Sequence, residues 1–163
     1  MNYGSDLLGN QVSDSSPYTV SASSEHPAYQ AWKMFDGNDA SYWNSLGSCP
    51  TVIIAVDFGI GISKTVKKYA IKFYSPSYNC PNGWTFEGSN DNTNWTVLDT
   101  QTGQSVFNGT TKAYEFSNAL AYRYYRLNVT DGATPGNGMA IYTISMYESS
   151  QRLISPMIIS FND

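Results

Sequence analysis

The alternation of large apolar residues with small or polar ones predicts strands, and it is clearest over residues 83–98. The large residues at alternate positions there are Trp84, Phe86, Trp95 and Val97. This is the period of a half-buried strand, whose successive side chains point to opposite faces. Residues 90–94 between the two runs are Asn, Asp and Thr, which bond their own backbone in tight turns. The stretch therefore predicts an antiparallel hairpin with the large rings on one face.

Six further runs with strand character bring the predicted total to eight strands. They lie at 18–23, 51–58, 68–74, 113–116, 122–129 and 140–147. The run at 51–58 is nearly all apolar, so we expect it in the centre of a sheet. Residues 24–50 are irregular, with one short helical turn predicted around Ala31 and Phe35. The pattern as a whole predicts an antiparallel all-β domain.

Strand directions predict where the connections lie. If each strand runs opposite to the one before it, four segments emerge together at one end of the domain, which we call the loop end. These segments are 24–50, 75–83, 102–111 and 130–138. The links 59–66, 90–94 and 117–121 emerge at the other end, which we call the hairpin end. Because binding sites are usually built from loops that cluster on a rigid scaffold, we expect a binding site at the loop end.

Composition supports one β-rich domain and argues against nucleic acid and membranes as partners. At 163 residues the chain is long enough for a single core, and its 13% charged residues are too few for typical long helices. The net charge is −4, without a basic cluster beyond Lys67 and Lys68, so we do not expect nucleic acid as a partner. No apolar run approaches the roughly 20 residues of a membrane span, and we do not expect a membrane partner either.

The two ends of the chain differ from its middle. We interpret 1–16 as a polar N-terminal lead-in, 17–148 as the sandwich and 149–163 as a C-terminal extension. The extension carries an apolar run at 153–161, which predicts either an extra strand or a segment that docks on a second subunit or a virion scaffold. The first six residues lack the features of a signal peptide, which fits a removed export signal or a virion protein released on lysis.

Enzymatic chemistry is not indicated. His26 is the only histidine, and no serine lies in a nucleophile-elbow context. Acidic residues are scattered, and we expect Asp57 at a strand end and Glu87 on the surface, so a glycosidase carboxylate pair is not predicted. Trp43, Trp84 and Trp95 are expected in the core, while Arg126 is expected either to reach a loop or to stack its stem along the strand.

Sugar binding is the better supported chemistry, because it needs only an aromatic ring and a few polar groups in one pocket. The loop end offers the candidate ligand-binding residues His26, Tyr29, Asn44, Tyr78, Asn79 and Asn137. Cys49 and Cys80 fall at this same end, so a disulfide between two loops is feasible, the alternative being two unpaired thiols.

Several stretches in this order and spacing resemble the discoidin family, also called coagulation factor 5/8 type C. They are residues 21–26, 31–37, 42–43, 56–59, 83–95 and 122–127. The resemblance implies a galactose-binding-like fold, an eight-stranded antiparallel jelly-roll β-sandwich that binds through loops at one end. Relatives in bacteria and phages are often carbohydrate-binding modules, similar to family 32, or parts of tail fibres and surface proteins. It also implies a role for His26, because a histidine in this first loop often serves family sugar sites.

The resemblance further implies a structural calcium ion in the loop at 33–41. The implied oxygen ligands come from Lys33, Asp36, Asn38, Ser41, Tyr142 and Thr143. Thr143 stands where the family usually has Glu, which removes a carboxylate, and Asp39 is the residue that would compensate. The alternative is that residues 36–39 form a simple Asx-type turn.

These observations predict a non-enzymatic adhesion module that binds glycans. We expect it outside the cell, on a phage or bacterial surface. The alternative is a structural virion or oligomer-forming protein that binds no sugar.

Overall fold

The chain folds into two antiparallel sheets that face each other. The structure is a computed structural model that describes residues 2–9, 11–15, 17–47, 49–74, 80–104, 109–132 and 138–149. Five strands form one sheet in the order β1-β3-β8-β5-β6, and four form the other in the order β2-β9-β4-β7. The strands are β1 Thr19–Ala22, β2 Trp43–Asn44, β3 Val52–Asp57, β4 Val66–Phe73, β5 Pro81–Ser89, β6 Thr96–Gln101, β7 Thr111–Glu115, β8 Tyr124–Gly132 and β9 Ala140–Glu148.

The all-β sandwich predicted from the sequence is confirmed, with one strand more than predicted. The additional strand is β2, which has two residues and pairs with the start of β9. Two residues are too few to show an alternation, so the sequence pattern did not predict this strand within the irregular segment 24–50. The predicted helical turn is a short 3₁₀ helix at Ala31–Met34, whose two end residues are buried.

Aromatic rings join the two sheets. Tyr69 of β4 stacks on Phe86 of β5 with ring centroids 4.4 Å apart, and Phe86 stacks in turn on Tyr125 of β8 at 5.6 Å. The buried polar tips are paired: the Trp84 indole N–H donates to the Tyr69 hydroxyl, which donates to the Asp99 carboxylate. Burial of such rings is a large apolar contribution, and satisfied hydrogen bonds avoid the cost of burying their polar atoms.

The predicted inward positions of Trp95 and Val97 are wrong, because a β-bulge changes the register of β6. Phe86 pairs with Asp99, but Glu87 pairs with Val97, so one residue of β6 is skipped and the alternation reverses. Val97 is therefore 55% exposed. Trp95 is half-buried rather than part of the core.

Glu87 also differs from expectation, because it is buried rather than on the surface. Arg126 follows the second of its two expected arrangements and stays on the sheet, where its guanidinium donates to Glu87 at 2.5 Å and stacks over the Trp95 ring, 4.1 Å from the ring centre. Burial raises the pKa of Glu87, but hydrogen bonds from Thr85, Arg126 and Asn128 outweigh it and hold the pKa below its usual value.

The N-terminal segment packs along β9. The amide of Gly4 donates to the Glu148 carbonyl at 3.1 Å, and the amide of Leu7 donates to the Met146 carbonyl at 2.9 Å. Leu8 is fully buried in the core. At the other terminus Ser149 pairs with Tyr3, and the remainder of the predicted extension, 150–163, lies outside the described residues.

The strand registers confirm the predicted grouping of connections. In the larger sheet Val52 at the start of β3 pairs with Val129 near the end of β8, and Pro81 at the start of β5 pairs with Gly132. In the smaller sheet Lys72 near the end of β4 pairs with Thr111 at the start of β7. The described parts of the four predicted segments therefore meet at the loop end, whereas residues 75–79, 105–108 and 133–137 lie outside the described chain.

The packing of β5 generates a stability prediction at Gly88. A Cβ atom there would lie 2.6 Å from the Tyr122 ring, which is itself buried. We expect Gly88→Ala to lower the free energy of unfolding by about 1–3 kcal/mol, the usual cost of overpacking, in a denaturant titration.

Gly83 on the same strand provides the matched control. Its Cβ position has no neighbour closer than 3.5 Å, so Gly83→Ala should leave the midpoint of the denaturant titration nearly unchanged. Equal midpoints for the two variants would contradict the close approach of Tyr122.

Candidate functional site

Three of the six predicted sugar-binding residues come together at the loop end. The amide of His26 donates to the Asn44 carbonyl at 2.8 Å, the amide of Asn44 to the Tyr29 carbonyl at 3.2 Å, and the amide of Tyr29 to the His26 carbonyl at 2.8 Å. We call these three residues the His26 corner. Their backbones hold one another, so the three side chains are brought together by the main chain alone.

The His26 side chain is exposed and its orientation is set locally. Its Nδ1 accepts a hydrogen bond from the amide of Ala28 at 3.2 Å, across the turn that begins with Pro27. A neutral imidazole that accepts at Nδ1 carries its proton on Nε2. Nε2 is then the ring's hydrogen-bond donor. The ring centroid lies 5.2 Å from that of Tyr29, so a polar donor and an aromatic ring are adjacent.

The other three predicted residues, Tyr78, Asn79 and Asn137, lie outside the described residues. The flanking chain shows where one of these segments returns. A Cβ atom on Gly138 would lie 2.7 Å from Asn44 Oδ1, so the backbone of Gly138 approaches the Asn44 amide as closely as a glycine allows. The segment that contains Asn137 therefore rejoins the described chain beside the His26 corner.

A row of tyrosines extends from the corner across the outer face of the smaller sheet. Its members, which we call the tyrosine row, are Tyr29, Tyr42, Tyr74 and Tyr142. The Tyr29 and Tyr42 rings stack at 4.5 Å, and the Tyr42 and Tyr74 rings lie 4.3 Å apart. Tyr142 lies 4.7 Å from Tyr74 and meets the Tyr42 ring edge-on at 6.2 Å. All four are half-buried.

The hydroxyl groups of this row interact with one another. Burial, together with hydrogen bonds to the hydroxyls of Tyr29 and Tyr74, raises the pKa of Tyr42 well above its ordinary value. The Tyr42 phenol therefore remains neutral at physiological pH and can act as both hydrogen-bond donor and acceptor.

Sequence reasoning missed most of this row. Only Tyr29 was a predicted ligand residue, and Tyr142 was considered for its carbonyl alone. A signal was present: Tyr42, Tyr74 and Tyr142 each directly follow or precede a large apolar residue of a strand, so each points away from the core. What the sequence lacked was the strand order that places β2, β9 and β4 side by side.

The predicted calcium loop gathers four oxygen atoms. Ser41 Oγ donates to Asp36 Oδ2 at 2.6 Å and lies 3.2 Å from the Lys33 carbonyl and 3.1 Å from the Asn38 carbonyl. We call these atoms the oxygen cluster. One hydroxyl proton cannot serve three acceptors at once, so Asp36 Oδ2 and the two carbonyl oxygens gather around Ser41 Oγ with lone pairs left over. Oxygen ligands of this kind are the ones that calcium prefers.

The same loop also forms the alternative arrangement, an Asx turn. The amide of Asn38 donates to Asp36 Oδ1 at 2.8 Å, while the second carboxylate oxygen faces the oxygen cluster. Asp39 is engaged elsewhere, because it accepts an ion pair from Lys72 at 2.8 Å. Lys72 pairs in register with Thr143 on β9. Four of the six predicted calcium ligands, Lys33, Asp36, Asn38 and Ser41, therefore lie together with Asp36 as their one carboxylate, and Asp39 is paired with Lys72.

The two cysteines take the second of the two arrangements that the sequence left open. Cys49 and Cys80 are both free thiols. Cys49 Sγ donates to the Thr51 carbonyl at 2.8 Å. Cys80 is 1% exposed, and burial raises the pKa of its thiol to about 11. A buried thiol with a raised pKa is unreactive, which is the behaviour of a structural cysteine.

Other kinds of site are not evident in the described part of the chain. Within it, no group of three or more His, Cys, Asp or Glu side chains is placed to hold a metal ion. Nor does any helix among these residues have the length and apolar character needed to cross a membrane.

Comparisons with known proteins identify both a family and a set of similar structures. The family model for the F5/8 type C domain matches residues 19–144. The chain is similar to chitosan-binding module 1 from a chitosanase/glucanase of Paenibacillus sp. IK-5, with 25% identity, a TM-score of 0.71, and coverage of 89% of this chain and 100% of that one. A comparison with curated proteins found no match.

Two further similar structures come from Clostridium perfringens and share the fold. The family 32 CBM of NanJ, in complex with galactose, has 20% identity and a TM-score of 0.66 over 80% of this chain and 93% of that one. A module in complex with GalNAc-beta-1,3-galactose has 18% identity and a TM-score of 0.67 over 87% of this chain and 99% of that one.

The cysteine environments predict unequal labelling by a thiol reagent. In the native protein we expect Cys49, which is half-exposed, to react, and Cys80 to react only after unfolding. An aromatic disulfide reagent at pH 8 should release about one equivalent from the native chain and about two in denaturant. Cys49→Ser should abolish the native reaction, and release of none from the unfolded chain would demonstrate a bridge instead.

Proposed function

Since the chain belongs to the F5/8 type C domain family, we propose that it is a non-catalytic carbohydrate-binding module that holds a glycan at its loop end. The observation that carries the proposal is the His26 corner. There an exposed imidazole N–H donor, a phenol ring and a carboxamide lie within one hydrogen-bonded backbone arrangement. Sugar pockets need this combination, because an aromatic ring packs on the C–H face of a sugar while polar groups bond its hydroxyls.

Support for the ligand class comes from the similar structures. The chitosan-binding module of Paenibacillus sp. IK-5 is 25% identical over nearly the whole chain. The Clostridium perfringens modules, which share the fold, carry galactose and GalNAc-beta-1,3-galactose. A glycan is therefore the ligand we propose, and the setting we propose is the surface of a bacterium or phage.

The site has the chemistry of recognition rather than turnover. His26 uses Nδ1 to hold its own loop through the amide of Ala28, so that nitrogen is occupied by structure. Asp57 is paired with Arg123 by two hydrogen bonds, and Glu87 with Arg126. Arginine pairing keeps these two carboxylates ionised, which suits structural ion pairs and does not suit a general acid.

A glycan array with the wild-type chain and His26→Ala tests the proposal. We expect the wild type to bind at least one class of glycan and His26→Ala to lose about tenfold or more in affinity, because the donor at Nε2 is removed. Ile60→Ala is the matched control, since Ile60 is 87% exposed and lies at the hairpin end. Its affinity should equal that of the wild type.

Two results of the glycan array would contradict the proposal. If the wild type binds no glycan, the module is not a sugar binder, and stable self-association would then favour the structural virion or oligomer-forming alternative. Equal losses in His26→Ala and Ile60→Ala would place the ligand away from the His26 corner.

We also propose that calcium binds the oxygen cluster and pins the loop at 33–41. Support comes from the gathering of the Lys33, Asp36 and Asn38 oxygens within 3.2 Å of Ser41 Oγ. The ion would be held by these residues and would supply structural stability, without a chemical step. A single carboxylate makes the site weaker than one with two.

Thermal unfolding with calcium and with chelator tests this site. Calcium at a hundredfold excess over its Kd should stabilise the fold by about 2.7 kcal/mol, and the melting temperature should rise accordingly. Asp36→Asn should abolish this response. Asp91→Asn is the matched control, because Asp91 anchors a similar turn at the hairpin end through Thr93 and Asn94. If the melting temperature of the wild type is the same with calcium and with chelator, the proposed calcium site is wrong.

A further inference from the structure

From the tyrosine row we infer that the site takes an extended, uncharged oligosaccharide rather than a single sugar residue. This inference rests on the proposed function. It assigns a second binding region beyond the His26 corner, at Tyr42, Tyr74 and Tyr142, for the sugar residues that follow the one held at the corner.

Continuity of the row with the corner is the first argument. Ring centroids follow one another from His26 to Tyr29 at 5.2 Å, to Tyr42 at 4.5 Å and to Tyr74 at 4.3 Å. These steps run across the ends of β2, β9 and β4, because Tyr142 of β9 contacts both Tyr42 and Tyr74. Three successive steps exceed the width of one sugar ring, so a single residue at the corner leaves most of the row uncovered.

The exposure of the row is the second argument. The four rings are half-buried and pack on one another, whereas the fold buries Trp43, Phe73 and Ile141 at the neighbouring positions, so the row is a contiguous aromatic patch at the surface. Their hydroxyls bond one another through Tyr42, and each phenol oxygen has two acceptor lone pairs and one proton. The surface is thus apolar in its rings and hydrogen-bonding at its rim, as a polyhydroxylated chain requires.

Charge selects an uncharged chain. Lys33 Nζ lies 5.6 Å from the Tyr29 ring and Lys72 Nζ lies 5.5 Å from the Tyr142 ring, so an ammonium flanks the row on each side. Lys33 donates to the neutral Ala28 carbonyl at 2.6 Å and so keeps its charge, which disfavours a cationic chain by like-charge repulsion. Lys72 is paired with Asp39 at 2.8 Å, and the exposed carboxylate of Asp39 disfavours an anionic chain in the same way.

The experiment measures affinity against chain length. Calorimetric titrations use N-acetylated chito-oligosaccharides and galacto-oligosaccharides of one to four units, with calcium present throughout. The wild type should bind three units at least about tenfold more tightly than one. Tyr142→Ala should abolish that gain while leaving affinity for one unit within about twofold, whereas His26→Ala should lower affinity for every length.

Tyr147→Ala is the matched control, because Tyr147 lies on the same strand and outer face as Tyr142 but at the other end, beside Lys68. It should keep the length dependence. If Tyr142 has only a structural role, Tyr142→Ala will weaken the binding of short and long ligands alike and lower the melting temperature, and that result would overturn the inference. Equal wild-type affinity for one and three units would also overturn it.

Two other outcomes bear on different claims. Failure of all sugars to bind would count against the proposed function. Tighter binding of deacetylated than of N-acetylated chains would overturn the preference for an uncharged ligand.

Discussion

The pairing of β8 with β3 and β5 is the constraint from which the rest of the molecule follows. β8 lies at the centre of the larger sheet, and its register places Leu127 opposite both Ile54 and Phe86. Shifting that register by one residue would turn every core side chain of β8 to the outside, so burial of Tyr125, Leu127 and Val129 fixes it. Once it is fixed, the ends of the strands are fixed too, and the described parts of the long connections emerge together.

Hydrophobic alternation could predict the strands because a half-buried strand has a period of two, which the sequence records directly. It failed at Trp95 and Val97, since the bulge between Phe86 and Glu87 adds one residue and reverses the pattern. It failed at Glu87 for a related reason. A carboxylate on an outward position looks exposed in sequence, but Arg126, which pairs with Glu87 and lies over the Trp95 ring, belongs to another strand.

The candidate site was predictable only where its residues belong to one loop or share a motif. His26, Tyr29 and Asn44 were found because strand direction alone assigns their segment to the loop end. The rest of the tyrosine row was not, because Tyr42, Tyr74 and Tyr142 come from three separate stretches that meet through the order of β2, β9 and β4. Polarity along one strand does not reveal the order of strands in a sheet, and aromatic residues that form a surface together look like core residues separately.

Lys33 explains why the oxygen cluster and the His26 corner belong to one structural unit. Its carbonyl contributes to the oxygen cluster, while its ammonium donates to the Ala28 carbonyl in the turn that orients His26. Ser41, which bonds the cluster, directly precedes Tyr42 of the tyrosine row. Anything that loosens this loop therefore disturbs fold stability and the proposed sugar contacts together. A change to the exposed His26 side chain loses one local bond, from the Ala28 amide to Nδ1, but keeps the backbone bonds of the corner, so we expect a small effect on stability. Loss of affinity at unchanged stability is thus the sign of a residue that touches the sugar, and combined loss is the sign of a residue that supports the loop.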